Sequence, residues 1–142
     1  MLPPLGNIFM PSASTATIDL TQLASSPISV DDTNLIINTE TNYTQYVAKL
    51  IALTDGTFIS SWKSQFQDGS GYGIYAQRLG ADGDKLGLEF QVNSTTQNEQ
   101  ASPNIIALSD GGFVIIWGSW LQDGSKFGVY AQRFNSENEK IG

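Results

Sequence analysis

Slid against itself by 55 residues, the chain aligns without a gap: residues 38–87 fall on 93–142, with about 22 of 50 positions identical. Asp55-Gly56 meets Asp110-Gly111, Trp62 meets Trp117, Gln67-Asp-Gly-Ser70 meets Gln122-Asp-Gly-Ser125, and Tyr75-Ala-Gln-Arg78 meets Tyr130-Ala-Gln-Arg133. A duplication of this length restricts the fold severely. Each unit is one supersecondary element that cannot bury its apolar face alone, so the units must stack to make a core.

Within a unit, residues 46–53, 57–63, 72–79 and 86–92 are rich in β-branched and aromatic side chains and are separated by turn residues, which predicts four strands. Asp55-Gly56, Asp110-Gly111 and Asp82-Gly83 supply the residue types that tight hairpins need where φ turns positive. No segment has helical periodicity. The stretch 112–117 is apolar on both faces, as expected of a strand sandwiched between two neighbouring sheets. The predicted fold is therefore all-β and β-propeller-like, with two four-stranded blades at about 46–93 and 101–142. A stacked sandwich of two sheets is the alternative.

Strand counting extends the argument. Leu35, Ile36, Ile37 and Asn38 align with Phe90, Gln91, Val92 and Asn93, so an extra fourth strand precedes the first unit, and the chain stops before a fourth strand of the second. One, four and three strands make two blades, completed by strand exchange between copies. The exchanged strand would pair with the third strand of a neighbour's second unit, around Phe127, Val129 and Tyr130. Such a head-to-tail contact gives a ring where the rotation closes and a filament where it does not. Residues 1–33 have no counterpart in the repeat. They are expected to form an N-terminal extension held by a neighbouring subunit, with one further strand at 15–21.

Seven Lys plus Arg against 14 Asp plus Glu give a net charge of -7. That balance repels a phosphate backbone or an anionic lipid surface, so nucleic acid and membrane insertion are not expected. There is no Cys, hence neither a disulfide framework nor a thiolate metal site. The first ten residues lack the basic start and long apolar stretch of a secretory leader.

Without His or Cys, only carboxylates remain for general acid–base work, and Asp55, Asp68, Asp110 and Asp123 all sit beside Gly in turns. The expectation is a chain that is not an enzyme. Calcium is the one cofactor the sequence admits, at Asp68 and Asp123 in the repeated loops, or at Asp82 and Asp84. Arg78 and Arg133 lie within strands and are expected to pair with Asp68 or Asp123. Trp62 and Trp117 read as core, and Gln77 and Gln132 as partners for neighbouring backbone; the same residues, with Trp120, are the candidates for lining a glycan site. Trp120 departs from the repeat, replacing Gln65, and is assigned first to a subunit contact.

The run from Asp110 through Trp117, followed by Gln122-Asp-Gly-Ser125 and by residues 128–134, resembles repeats of large secreted bacterial surface and calcium-binding (hemolysin-type) proteins. That resemblance spans residues 35–142 and implies scaffolding or adhesive modules outside the cell. The two-blade plan is also similar to that of small lectins that oligomerise into propellers. The expected function is an extracellular self-assembly protein, with a carbohydrate-binding lectin and a fragment of a larger adhesin as rivals.

Overall fold

The computed structural model describes residues 34–142. The expected N-terminal extension lies outside them.

Eight strands follow one another: β1 Gln45–Ala52, β2 Phe58–Gln65, β3 Tyr72–Leu79, β4 Lys85–Gln91, β5 Gln100–Ala107, β6 Phe113–Trp120, β7 Phe127–Phe134 and β8 Lys140–Ile141. They form two antiparallel meanders in the orders β1-β2-β3-β4 and β5-β6-β7-β8, with no helix among the described residues. The count differs from the expected one, four and three. The second unit does begin its own fourth strand, but β8 pairs only Arg133 with Ile141 and Phe134 with Lys140. In the first sheet, β4 runs on to pair Tyr75 with Gln91 and Ala76 with Phe90.

The duplication is carried into the backbone. Positive φ recurs at Tyr43 and Asn98, Val47 and Ser102, Phe66 and Leu121, Gly71 and Lys126, and Gly83 and Asn138, each pair 55 residues apart. Val47 and Ser102 mark a bulge in the first strand of each sheet, where the register slips between Tyr46 and Lys49 and between Ala101 and Asn104. A bulge leaves a residue unpaired and bends the strand, so both sheets curve at the same place.

The sheets pack face to face. Along β2 and β3 the side chains of Ile59, Ile74 and Ala76 point one way, while β5, β6 and β7 present Ile105, Phe113, Ile115, Trp117 and Phe134 to them; with Leu53 and Val92 these make one buried cluster. Phe113 and Phe134 stack with ring centroids 4.9 Å apart, and Phe90 of β4 leans on Phe134 at 5.4 Å. Burying aromatic side chains of this size is the dominant favourable term in the packing.

Polar side chains lock the two sheets together. Asn93 Oδ1 accepts the Ile74 N–H at 2.7 Å, and the Val92 N–H donates to the Ile74 carbonyl at 2.8 Å. Asn93 Nδ2 donates to the Thr95 carbonyl (2.9 Å) and to Gln100 Oε1 (3.2 Å), and Gln100 Nε2 donates to the Gln97 carbonyl (2.9 Å) and Ser119 Oγ (3.5 Å). The linker between the sheets is thus sewn to β3 on one side and to β5 and β6 on the other.

Candidate functional site

The two outer faces of the pair differ sharply from the junction inside it. Within the chain, Ile51, Ile59, Ile74 and Ala76 of the first sheet meet the second sheet. The same repeat positions in the second sheet are Ile106, Val114, Val129 and Ala131, which point away from the pair. Ile74 is 0% exposed and Val129 is 82% exposed. Ile106 is likewise exposed, and Val114 and Ile116 are half-buried. The expectation of a second-unit strand buried on both sides therefore holds for one side of β6 alone in a single copy.

On the opposite flank, residues 34–38 form no ladder. They lie against the first sheet, and a shallow open groove is lined by Ile37, Asn38, Gln45, Ala48, Ser60 and Trp62. Asn38 Nδ2 donates to the Glu40 carbonyl (2.7 Å) and to Gln45 Oε1 (3.5 Å), and Gln45 Nε2 donates to the Asn42 carbonyl (2.6 Å) and Ser64 Oγ (3.4 Å). Contact for contact, this is the Asn93–Gln100–Ser119 network. Among the described residues, however, no group donates to Asn38 Oδ1. The identities of Asn38 with Asn93, Gln45 with Gln100 and Ser64 with Ser119 are legible in the sequence, but the hydrogen bonds that join them are not.

The arginines take other partners than expected. Arg78 Nη2 binds Asp55 Oδ2 at 2.7 Å and Arg133 Nη2 binds Asp110 Oδ2 at 2.6 Å, across the β1–β2 and β5–β6 turns, and not Asp68 or Asp123. Sheet register decides this, because Arg78 lies opposite Ile59, next to the turn that holds Asp55. Arg78 also donates to the Ser136 carbonyl and to Asn138 Oδ1 in the second sheet. Among the described residues Arg133 has no such acceptors, and its side chain is half exposed.

Asp68 accepts from the Ser70 N–H and from Gln91 Nε2, and Asp123 from the Ser125 N–H, while Asp82 Oδ1 accepts from the Asp84 N–H. Among the described residues no three acidic side chains converge into a cage for a cation. Gln77 Nε2 donates to the carbonyls of Arg78 and Gly87, and Gln132 Nε2 to those of Arg133 and Ile141.

Trp62 and Trp117 are 3% and 6% exposed. Trp120 is open, its ring 4.9 Å from that of Phe127, at the hairpin end of the second sheet. At the same end of the first sheet, Tyr43 and Phe66 pair edge to face at 5.5 Å. Nearby, the buried Lys63 Nζ lies 3.4 Å from Glu99 and over the rings of Tyr46 (4.3 Å) and Tyr72 (4.4 Å). The Lys63 hydrogen bond holds the Tyr46 hydroxyl below the usual phenol range, and the hydrogen bond to Tyr46 raises that of Tyr72.

No family model matches the chain, and no curated protein matches it. A solved structure does: the endo-arabinase from Bacteroides thetaiotaomicron superposes with a TM-score of 0.51 at 18% identity, over 73% of this chain and 45% of that one. The chain thus spans less than half the length of that structure, and the likeness concerns fold alone. It nonetheless corrects the expectation that this chain is not an enzyme, since a fold of this kind carries an enzyme. The expectation rested on Asp55, Asp68, Asp110 and Asp123 lying in turns, and a turn position does not by itself bar a carboxylate from glycoside hydrolysis.

Proposed function

We propose that the protein is an extracellular self-assembly module of the β-propeller kind, in which each copy contributes two blades to a ring or filament of copies. One observation carries this reading. The face formed by Ile106, Val114, Ile116, Val129 and Ala131 is open in a single copy, although the equivalent face of the first sheet is buried by the second. An open apolar face of that kind marks an interaction surface, and a heterologous contact between its two different flanks repeats from copy to copy.

The test is light scattering with electron microscopy on the purified chain, beside Ile116→Asp and Val129→Asp. The wild type should run as a ring or fibre and both variants as folded single copies. A wild type that stays a single copy at high concentration would end this reading.

A second reading has its own support. Trp120, Phe127, Tyr43 and Phe66 are exposed at one end of the sheets, where a sugar ring could stack, and the fold resembles that of a protein named for acting on an arabinan. Quenching of Trp120 fluorescence by arabinan oligosaccharides, lost in Trp120→Ala, is the expected signature of a glycan site.

A further inference from the structure

We infer that residues 35–38 of one copy pair as a fourth strand with β7 of another copy, with Asn38 setting the register. The inference rests on the assembly reading and specifies its contact.

The intact junction inside the chain provides the template. There, Gln91 lies opposite Tyr75, the Val92 N–H reaches the Ile74 carbonyl and Asn93 Oδ1 accepts the Ile74 N–H. Shifted by 55 residues, β7 offers Tyr130 and Val129 at those positions; among the described residues β8 pairs only with Arg133 and Phe134, and no strand pairs the rest of that edge from Phe127 to Gln132. The segment aligned with residues 90–93 is Leu35, Ile36, Ile37 and Asn38. Its last residue, Asn38, is already anchored by its hydrogen bond to Gln45, which is bound in turn to Ser64. Ile36 therefore falls opposite Tyr130, the Ile37 N–H reaches the Val129 carbonyl, and Asn38 Oδ1 takes the Val129 N–H. Strand addition of this type draws affinity from main-chain hydrogen bonds and specificity from side-chain pockets.

The side chains that differ between the two junctions differ in compensating ways. Inside the chain, Ser61 stands on one flank and Ile115 on the other; at the open flanks the same positions hold Ile116 and Ser60, so the bulk changes sides. The Lys63–Glu99 ion pair is replaced by Gly118 and Thr44, and neither flank keeps an unpaired charge there. Arg133, which lacks the contact Arg78 makes with the Ser136 carbonyl, would find the carbonyl of Ala81 in the next copy. One position opposes the fit. A side chain at Gly71 would collide with the Asn98 carbonyl, and its counterpart is Lys126, so the Tyr43 loop of the second copy must stand off from β7 at that end.

The chain has no cysteine, which makes disulfide trapping clean. Ile36→Cys and Tyr130→Cys are prepared as separate proteins, checked for native circular dichroism, mixed and oxidised. The Ile36 position is a non-hydrogen-bonded partner of Tyr130, where Cα atoms lie about 4.5 Å apart, within reach of a disulfide. A cross-link between the two proteins, much weaker when Ala131→Cys replaces Tyr130→Cys, supports the register. Assembly without the cross-link, or with the Ala131 pair preferred, overturns the register and leaves the assembly reading standing; a mixture that stays as single copies overturns both. As a measurement independent of cysteine, Asn38→Ala should weaken association at least tenfold and Lys126→Gly should strengthen it. Association unaltered by Asn38→Ala would overturn the inference.

Discussion

The carboxamide oxygen of Asn93 accepts the backbone N–H of Ile74 at 2.7 Å, so a side chain from the linker stands where a further strand residue would otherwise pair with β3. Ile74 and Asn93 are both buried, so this N–H has no water to fall back on. Asn93→Ala should therefore destabilise the fold by about 2–3 kcal/mol in urea unfolding, the cost of a buried donor left without an acceptor. Asn38→Ala removes no acceptor from a buried N–H in a single copy and should cost less than about 1 kcal/mol there.

Arg78 and Arg133 occupy one repeat position with unequal surroundings. Arg78 ties the first sheet to the β7–β8 turn and is nearly buried, whereas Arg133 is half exposed. Arg78→Ala should cost about 2 kcal/mol, because it removes the charged hydrogen bonds that tie the first sheet to the β7–β8 turn, while Asp55 and Ser136 themselves keep access to water. Arg133→Ala should leave the unfolding midpoint of a single copy within error of the wild type, as exposed ion pairs contribute little.

Burial, reinforced by the negative charges of Asp68 and Glu89, pushes the Tyr75 hydroxyl up to about 12. The folded state then keeps a proton that the unfolded chain releases near pH ~10, so stability should be intact below that pH and fall between about 10 and 12. Unfolding followed against pH should show this loss, and Tyr75→Phe should reduce it. At the acid end the signs reverse. Hydrogen bonds from Thr57 hold Asp55, and those from Gly112 and Arg133 hold Asp110, below the usual carboxylate range. Their contribution is present above pH ~4 and is lost as the pH falls through their folded values.

Gly71 and Lys126 share a left-handed φ of 42°, and Gly71 has the linker residues Asn98 and Glu99 against it, whereas Lys126 is exposed. Gly71→Ala adds both backbone strain and a collision with the Asn98 carbonyl, and should cost more than about 1 kcal/mol by calorimetry. Lys126→Gly relieves strain at a position open to solvent and should raise the melting temperature of a single copy.

The duplication, the four-strand units, their turns and the core tryptophans were all legible in the sequence. Each depends on local alternation, turn chemistry or identity at a fixed spacing, which one chain displays without folding. The strand boundaries of β3 were legible for the same reason, since an aromatic- and Ile-containing run lies between two turn segments. What the sequence left undecided was the pairing of identical residues in unequal surroundings. Arg78 and Arg133, Gly71 and Lys126, and Asn93 and Asn38 look alike on paper, but one member of each pair lies at the junction between sheets and the other at an open flank. The choice of Asp55 over Asp68 for Arg78 belongs to the same class, because it follows from which turn the register of β2 and β3 brings alongside. Turn chemistry and spacing made the two four-stranded units legible; only packing, which takes one side of a sheet out of water and leaves the other in it, decided which copy of each residue is buried and which stays exposed.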